Sequence, residues 1–187
     1  MSDQQRVIVT ATSPRFPNPL DVKWQSQNDN ASGRGYRECF SSSCAMLAMF
    51  HGKIANDDAY NRIRRQFGDT TDVTAQLRAL QSLGLRPYFT KNGKLADIEA
   101  EIDAGNPAAV AWLHEGPVSA PIGGGHWSVI VGYTATHWIH NDPNGEALLV
   151  SGGYTGNRNG YRLAYSRKNW NPRWQEGGEA WMLTCKP

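Results

Sequence analysis

The stretch that decides the fold is Cys39–Phe50, which reads CFSSSCAMLAMF, so that a cysteine and three serines lead into a nearly all-apolar run. A surface helix shows polar side chains at every third or fourth position, and this run does not. It therefore predicts a short helix buried at the centre of a domain and ended by Gly52. The Cys39 thiol would lie at the helix start, where free backbone N–H groups and the helix dipole favour the reactive thiolate.

Length, composition and net charge indicate the number of domains and whether a nucleic-acid partner is expected. With 187 residues, 19% of them charged, and a formal net charge of +2, the chain is predicted to form one domain over 1–187, with 1–23 as an N-terminal strand and arm. The densest basic group is Arg62, Arg64 and Arg65. We interpret it as the solvated side of a helix, so no nucleic-acid partner is expected.

The number of cysteines and the hydropathy of the sequence indicate in which cellular compartment the protein is made. Three cysteines without a CxxC pair do not form a disulfide framework, so Cys39 is expected to be a free thiol. The sequence shows no apolar stretch of signal-peptide length and no window long enough to span a membrane. We expect synthesis in the cytoplasm, with any release to a cell wall depending on another factor.

Helix signals come early in the chain and strand signals late, which predicts an α+β fold rather than alternating βα units. The simplest architecture is an antiparallel sheet packed against the buried cysteine helix. Further helices are predicted from a cap at 56 or 57 to 67, from a cap at 71 or 72 to 83, and at 94–104. Strands are predicted at 6–12, 86–90, 108–114, 126–134, 136–141, 147–151 and 180–185.

A thiol nucleophile needs a base, and five histidines compete for that role. His126 follows three glycines, which let a loop approach a cleft closely, and it precedes an apolar strand that would hold its ring rigid. It is therefore the preferred base. The other histidines end a helix or a strand or lie within a strand: His51, His114, His137 and His140.

Asp142 is the preferred group to orient the base. A tight turn between two antiparallel strands would bring the start of one strand, His126, beside the end of the next. A carboxylate there can accept the ring N–H, fix the tautomer and stabilise the imidazolium. Asn141 is the rival, and since adjacent strand residues face opposite sides, only one of the two can face His126.

Two further choices remain open on the residues alone. Cys44 is an alternative nucleophile, but it lies a turn and a half inside the helix, where a cysteine is an inert small hydrophobe; Cys185 is expected to be packing. The oxyanion of an acyl-transfer reaction needs donors. The backbone N–H of Cys39 supplies one, and the side-chain amide of Gln25 or Gln27 in the preceding loop could supply the second.

Four segments together resemble a known family: SQNDN at 26–30, CFSSSCAM at 39–46, GHWSVIVGY at 125–133 and NDP at 141–143. They resemble the bacteriocin-processing (double-glycine leader peptidase) branch of the papain-like cysteine peptidases, over roughly residues 24–145. Ser42 replaces the usual threonine, and the loop between glutamine and cysteine is longer.

The resemblance implies a papain-like α+β fold with a central buried cysteine helix on an antiparallel sheet. It implies Cys39 as nucleophile, His126 as base, Asp142 as orienting residue and Gln27 as oxyanion donor, with Gln25 as the alternative and no cofactor.

The predicted function is a cysteine hydrolase that cleaves peptide or amide bonds through a Cys-His-Asp triad and an acyl-enzyme. Family members without transporter segments resemble cell-wall enzymes, some from bacteriophages, and seven tryptophans permit a peptidoglycan substrate for a lysin-type endopeptidase or amidase. A different peptide or protein substrate is equally expected. Segment 170–174 is the predicted cleft wall or surface binding patch.

Three other classes compete with a hydrolase. An acyltransferase would use the same triad to modify an amine. A zinc site would draw on the cysteines and His51, His137 or His140, but their spacing matches no ligand pattern. An inactive binding module could share the fold without the activity. The oligomeric state is not readable from the sequence.

Overall fold

The computed structural model describes residues 16–187, so the strand predicted at 6–12 lies outside the described residues. Within this range, five α-helices pack on a six-stranded sheet, which confirms the predicted α+β class. The helices are α1 (Cys39–Phe50), α2 (Asp57–Arg64), α3 (Val73–Ser82), α4 (Leu95–Asp103) and α5 (Arg167–Trp174). The strands are β1 (Arg86–Thr90), β2 (Ala108–Trp112), β3 (His126–Tyr133), β4 (His137–Asn141), β5 (Leu163–Ser166) and β6 (Trp181–Lys186). Short 3-10 turns at Gly35–Arg37 and Glu176–Gly178 precede α1 and follow α5.

The sheet has the strand order β1-β6-β2-β3-β4-β5, and all neighbouring strands are antiparallel. In the first turn of α1, Phe40 stacks on Trp127 of β3, with 3.8 Å between the ring centroids. Successive strand residues face opposite sides, so His126 faces the other side of the sheet, with Trp112 of β2 as its cross-strand partner. The start of α1 therefore lies against the start of β3.

Helix α1 is buried because its side chains are apolar or small, and residues 44–48 are fully buried. Its serines are buried with polar partners: the Ser41 hydroxyl lies 2.7 Å from that of Thr70, and the Ser42 hydroxyl donates to Asp57 Oδ2 at 2.9 Å. The central buried cysteine helix is thus confirmed. Its polar first turn is tied to the start of α2 and to the loop before α3.

Local capping sets the starts of α2 and α3. The Asn56 side chain accepts from the Ala59 N–H at 2.9 Å, and the Asp72 side chain accepts from the Thr74 N–H at 2.8 Å. Both caps were among those predicted. Helix α2 ends earlier than the predicted 67, because the residues after Arg64 tighten into a turn of i→i−3 hydrogen bonds.

The strand predicted at 147–151 is wrong. Ala147 makes only an isolated bridge with Tyr154, and the chain between them folds back on itself. Gly152 and Gly153 both have φ above +80°, a conformation that reverses the chain and that other residues rarely adopt. A short apolar run was therefore mistaken for a strand.

The segment predicted as a cleft wall or surface patch, 170–174, lies in α5, which the sequence did not predict. Trp170 is fully buried and contacts Trp112 and Trp138 on the face of the sheet opposite α1. Trp174 is also buried, so the surface patch is wrong. The alternative of a cleft wall is confirmed for Arg173 and Trp174, which line a cleft described below.

Candidate active site

The first residue of α1 and the first residue of β3 meet where this central strand of the sheet begins. The Cys39 side chain is partly exposed, and its thiol is in hydrogen-bonding contact with the ring of His126, which is 3% exposed. On the other side of the ring, His126 Nε2 lies 2.8 Å from Asp142 Oδ1. Since Nε2 faces the carboxylate, Nδ1 is the nitrogen left for the thiol. The structure thus brings together the predicted nucleophile, base and orienting residue.

The Asp142 carboxylate is fully buried, and both of its oxygens have hydrogen-bond partners. Oδ1 accepts from the Asn144 N–H at 2.9 Å as well as facing His126, and Oδ2 accepts from the Tyr165 hydroxyl at 3.1 Å. This carboxylate is therefore held from three directions, and it cannot rotate away from the ring without breaking a buried hydrogen bond.

The backbone of Asp142 is held equally firmly. Its carbonyl accepts from the Trp24 indole N–H at 2.7 Å, and its N–H donates to the Gly160 carbonyl at 2.9 Å. A Cβ at position 160 would overlap the Asp142 carbonyl oxygen, so only glycine allows this approach. Asn141 faces elsewhere, because its amide donates to the Val22 carbonyl at 2.8 Å. Of the two rivals, Asp142 is the one that faces His126.

Charge favours the protonated form of His126. Burial alone lowers the pKa of the ring, but the Asp142 carboxylate, through its charge and its hydrogen bond, and the Cys39 thiol raise that pKa to about 10. The imidazolium therefore dominates at neutral pH, beside the thiol and at the start of α1. A cation in that position stabilises a thiolate, which is the reactive form of a cysteine.

A second histidine lies beside the first and was missed as a neighbour of the site. The ring centroids of His114 and His126 are 5.6 Å apart, and Tyr154 contacts both rings. Burial and the nearby charge of His126 lower the pKa of His114, so it stays neutral while His126 is charged. The signal was available, because residues 112 and 114 alternate onto the side of the sheet that His126 faces.

Gln27 links the two halves of the site. Its backbone N–H donates to the Pro143 carbonyl at 2.8 Å, and its side-chain amide donates to the Gly35 carbonyl at 2.8 Å, in the turn that leads into Cys39. The amide nitrogen carries a second N–H, and Gln27 Oε1 is buried without a hydrogen-bond partner among residues 16–187. As the first residue of α1, Cys39 has a backbone N–H that no helical carbonyl can accept.

Gln25, the alternative oxyanion donor, has a different position. Its side-chain oxygen accepts from the Asp57 N–H at 3.1 Å, and its amide donates to the Trp24 carbonyl at 2.8 Å. These contacts place it at the start of α2. The candidate donor next to the turn before Cys39 is therefore Gln27.

Cys39 opens onto a cleft of about 460 Å³. Indole rings of Trp112, Trp127, Trp174 and Trp181 line it, and the glycines at 123–125 form part of its rim. Its lining is thus largely apolar, with a glycine edge that leaves room for an extended backbone.

Arg173 holds one wall of this cleft. The side chain is 1% exposed, and its guanidinium donates to the carbonyls of Leu113, Glu115, Gly116 and Leu149 at 2.7 to 3.2 Å. These bonds fix the loop after β2 against α5. The wall is therefore preformed.

Binding a metal ion and crossing a membrane each require a recognisable arrangement of side chains. Among residues 16–187, no three or more His, Cys, Asp or Glu side chains form a group that could hold a metal ion. Over the same range, no helix combines the length and the apolar character that crossing a membrane requires.

Comparison with known proteins identifies the family. The sequence matches the family model of the Peptidase_C39-like family over residues 19–178. The chain belongs to the Peptidase_C39-like family. It is therefore a cysteine peptidase, a hydrolase, as the resemblance read from the sequence implied. A comparison with curated proteins finds no match.

Three solved structures are similar to this C39-like peptidase. A Bacillus anthracis protein assigned as a C39-like peptidase aligns with a TM-score of 0.63 and 12% identity, over 91% of this chain and 98% of that one. The peptidase domain of Streptococcus ComA, a bifunctional ABC transporter of a quorum-sensing pathway, gives 0.57 and 17%, over 89% and 98%. A double glycine motif protease from an AMS/PCAT transporter, in complex with the leader peptide, gives 0.53 and 17%, over 94% and 96%. At these identities the likeness shows the papain-like α+β fold.

Proposed function

We propose that this cysteine peptidase hydrolyses peptide bonds with Cys39 as nucleophile, His126 as proton carrier and Asp142 as the residue that orients and charges the ring. The observation that carries the proposal is the continuous contact from thiol to ring to carboxylate, with His126 Nε2 2.8 Å from Asp142 Oδ1, opening on a cleft at the sulfur end. Nucleophile, base and orienting group in hydrogen-bonding sequence are the signature of an activated thiol.

The first half of the reaction makes a thioester. The Cys39 thiolate attacks the substrate carbonyl carbon, and the oxygen that becomes negative accepts from the Cys39 N–H and from the Gln27 amide. The His126 imidazolium then donates its Nδ1 proton to the amide nitrogen as the C–N bond breaks. The amine product leaves, and the acyl group stays on the sulfur.

The second half returns the enzyme to its starting state. Neutral His126 takes a proton from a water molecule that attacks the thioester, and the C–S bond breaks. The carboxylic acid product leaves, and the thiolate–imidazolium pair is restored. Asp142 keeps the ring in one tautomer throughout and stabilises its charge.

A peptide is the proposed substrate class. The cleft is largely apolar, and its glycine rim leaves room for an extended backbone. One structural neighbour is a peptidase in complex with a leader peptide. The alternative of a cell-wall, lysin-type substrate depends on the tryptophans, but Trp138 and Trp170 are fully buried. Trp112, Trp127 and Trp174 line the cleft but are at most 8% exposed, so they offer little face to a sugar ring. Peptidoglycan therefore stays a second substrate to be tested.

The decisive experiment is product analysis by mass spectrometry with purified protein, a mixed peptide library and purified peptidoglycan. Cys39→Ala is expected to lower turnover by at least about 10⁴-fold with an unchanged circular dichroism spectrum, because the nucleophile is lost. Cys44→Ala is the matched control on the same helix, since Cys44 is buried and away from His126. Full activity in Cys39→Ala would refute the mechanism. Amide products formed with added amine would indicate acyl transfer.

A further inference from the structure

A second cavity, of about 480 Å³, adjoins the peptide cleft. We call it the arginine pocket and define it by its charged lining residues: Arg34, Arg37, Arg64, Arg65, Glu38 and Asp69. It lies beside the start of α1, between the turn before Cys39 and the end of α2. The mechanism above makes no use of it.

The pocket carries more positive than negative charge. Arg64 pairs with Glu38 at 3.5 Å and Arg37 pairs with Asp69 at 2.7 Å. The exposed side chains of Arg34 and Arg65 have no hydrogen bond or ion pair with any residue in the described range 16–187. Two guanidinium groups are therefore left without a counter-charge. Interpreting the arginine cluster as only the solvated side of a helix was wrong for Arg64, whose side chain is buried.

The two carboxylates of the pocket are already used by the protein. Glu38 Oε2 accepts from the Thr70 hydroxyl at 2.8 Å as well as from Arg64, and Asp69 Oδ1 accepts from both the N–H and the hydroxyl of Thr71. One oxygen of each carboxylate is therefore engaged by the protein, and the four guanidinium groups of the pocket outnumber its two carboxylates. The binding capacity of the pocket is for an anion.

Arg64 makes the floor of the pocket rigid. Its guanidinium donates to the Gly68 carbonyl at 2.8 Å and to the Ser41 hydroxyl at 3.2 Å, so it is held in place and remains positive. Arg34 and Arg65 lie at the exposed mouth, where an incoming group can reach them. A planar guanidinium matches a carboxylate with two parallel hydrogen bonds.

Arg37 joins this pocket to the cleft, since it lines both cavities and precedes Cys39 by two residues. An extended peptide advances about 3.3 Å per residue, so a residue a few positions from the bond at Cys39 can reach past Arg37. We propose that the arginine pocket binds a carboxylate of the substrate, from an acidic side chain or from the peptide C-terminus, and so selects acidic peptides. This inference rests on the proposed peptidase function.

The test uses matched peptides built on one cleaved sequence from the library. At each position around the bond, Glu is compared with Gln, and the free C-terminal acid is compared with its amide. Wild-type kcat/KM is expected to be about tenfold higher for the acidic member at one or two neighbouring positions or for the free acid, as two partly exposed ion pairs can supply. A side-chain effect and a terminus effect identify the two sources of the carboxylate.

Variants connect the preference to the pocket. In the double variant Arg34→Gln/Arg65→Gln the acidic preference is expected to fall to less than about twofold, because both unpaired charges are gone. Arg62→Gln is the matched control, since Arg62 is exposed on the same helix as Arg64 but does not line the pocket. It should keep the full preference.

Two results would overturn the proposal while leaving the peptidase function intact. One is equal kcat/KM for acidic and neutral peptides throughout; the other is a preference that survives in the double variant. If no peptide is cleaved, the proposed function fails, and selection of library peptides on immobilised Cys39→Ala protein still tests the pocket. Enrichment of acidic peptides that the double variant loses would support it, and no enrichment would refute it.

Discussion

Two charged regions lie near Cys39, the surroundings of Asp142 and the arginine pocket, and they differ in whether their charges are paired within the protein. Around Asp142 the charges are buried, and each carboxylate oxygen has a partner from the protein. In the arginine pocket two guanidinium groups remain exposed and unpaired with any residue in 16–187. Buried, fully paired charges hold geometry, because moving either partner leaves an uncompensated charge. Exposed, unpaired charges do not stabilise the geometry of the free protein, and they are available to bind a ligand.

In the buried region around Asp142, the largest expected effect comes from removing the imidazole ring of His126. His126→Ala should lower kcat/KM by about 10³- to 10⁴-fold, because it removes both the charge beside the thiol and the proton donor to the leaving amine. The measurement is steady-state kinetics on one peptide, with circular dichroism as the folding control. A variant that keeps a tenth of the activity would show that His126 is not the proton carrier.

The proposed oxyanion donor comes next. Gln27→Ala should lower kcat by about 10²-fold with little change in KM, the usual loss when one oxyanion donor is removed. Gln25→Ala is the matched control in the same loop, since Gln25 contacts the start of α2, and it should lower thermal stability while kcat changes little. The reverse outcome would move the donor role to Gln25.

Replacing the carboxylate should have a smaller effect than removing the ring. Asp142→Asn removes the charge that raises the pKa of His126 to about 10, so the active imidazolium is lost at lower pH. We expect kcat to fall by about 10- to 100-fold, and the alkaline limb of the pH–rate profile to move down from near pH 10 by about one to three pH units. An alkaline limb that stays in place would contradict the pairing of charge between Asp142 and His126.

A smaller effect is expected from the hydroxyl that holds the carboxylate. Tyr165→Phe removes the bond to Asp142 Oδ2 and should lower kcat about three- to tenfold, with KM nearly unchanged, through a loosened carboxylate. Tyr60→Phe is the control, because the Tyr60 hydroxyl donates to Gln76 Oε1 at 2.9 Å and neither residue lines the cleft. It should cost stability and leave kcat and the pH profile unchanged. Equal kcat in both variants would make Tyr165 a purely structural residue.

The smallest expected effect is that of salt concentration, which should act differently on the buried His126–Asp142 pair and on the exposed arginine pocket. Between about 0.05 and 0.5 M NaCl, cleavage of a neutral peptide should change less than about twofold, because the His126–Asp142 pair is buried and poorly screened. The preference for acidic peptides should fall at least about threefold over the same range, since exposed pairs are screened. Kinetics on a matched Glu and Gln peptide measures both. Equal salt dependence would remove the distinction between the two regions.

Much of the fold could be predicted where the signal is local. Strand β1 was predicted with its observed bounds, and the caps of α2 and α3 were identified, because side-chain caps and short periodicities act within a few residues. Strand β5 and helix α5 were missed. Helix α5 reads RKNWNPRW, which has no apolar helical period, and Trp170 is buried by residues far away in the chain.

For the site, the residue types and their order along the chain narrowed the candidates to a few residues. The choice between Asp142 and Asn141, and between Gln27 and Gln25, needed coordinates, because a strand register or a loop path decides which neighbour faces the ring. Their catalytic roles stay predictions until the variants are measured. His114 and Tyr165 enter the site only through pairing across the sheet.

The sequence by itself determined the α+β class, the buried helix that begins at Cys39 and the family. Apolar runs, caps and short motifs each involve residues that are close together in the chain. Only the tertiary structure decided that Asp142 faces His126 and that Arg64 turns inward to Glu38, 26 residues away in the chain. Those outcomes depend on pairing between residues far apart in the chain, because a buried charge without a partner costs free energy. Arg34 and Arg65 have no ion pair among residues 16–187, and because they are exposed, water can solvate their charges in the free protein.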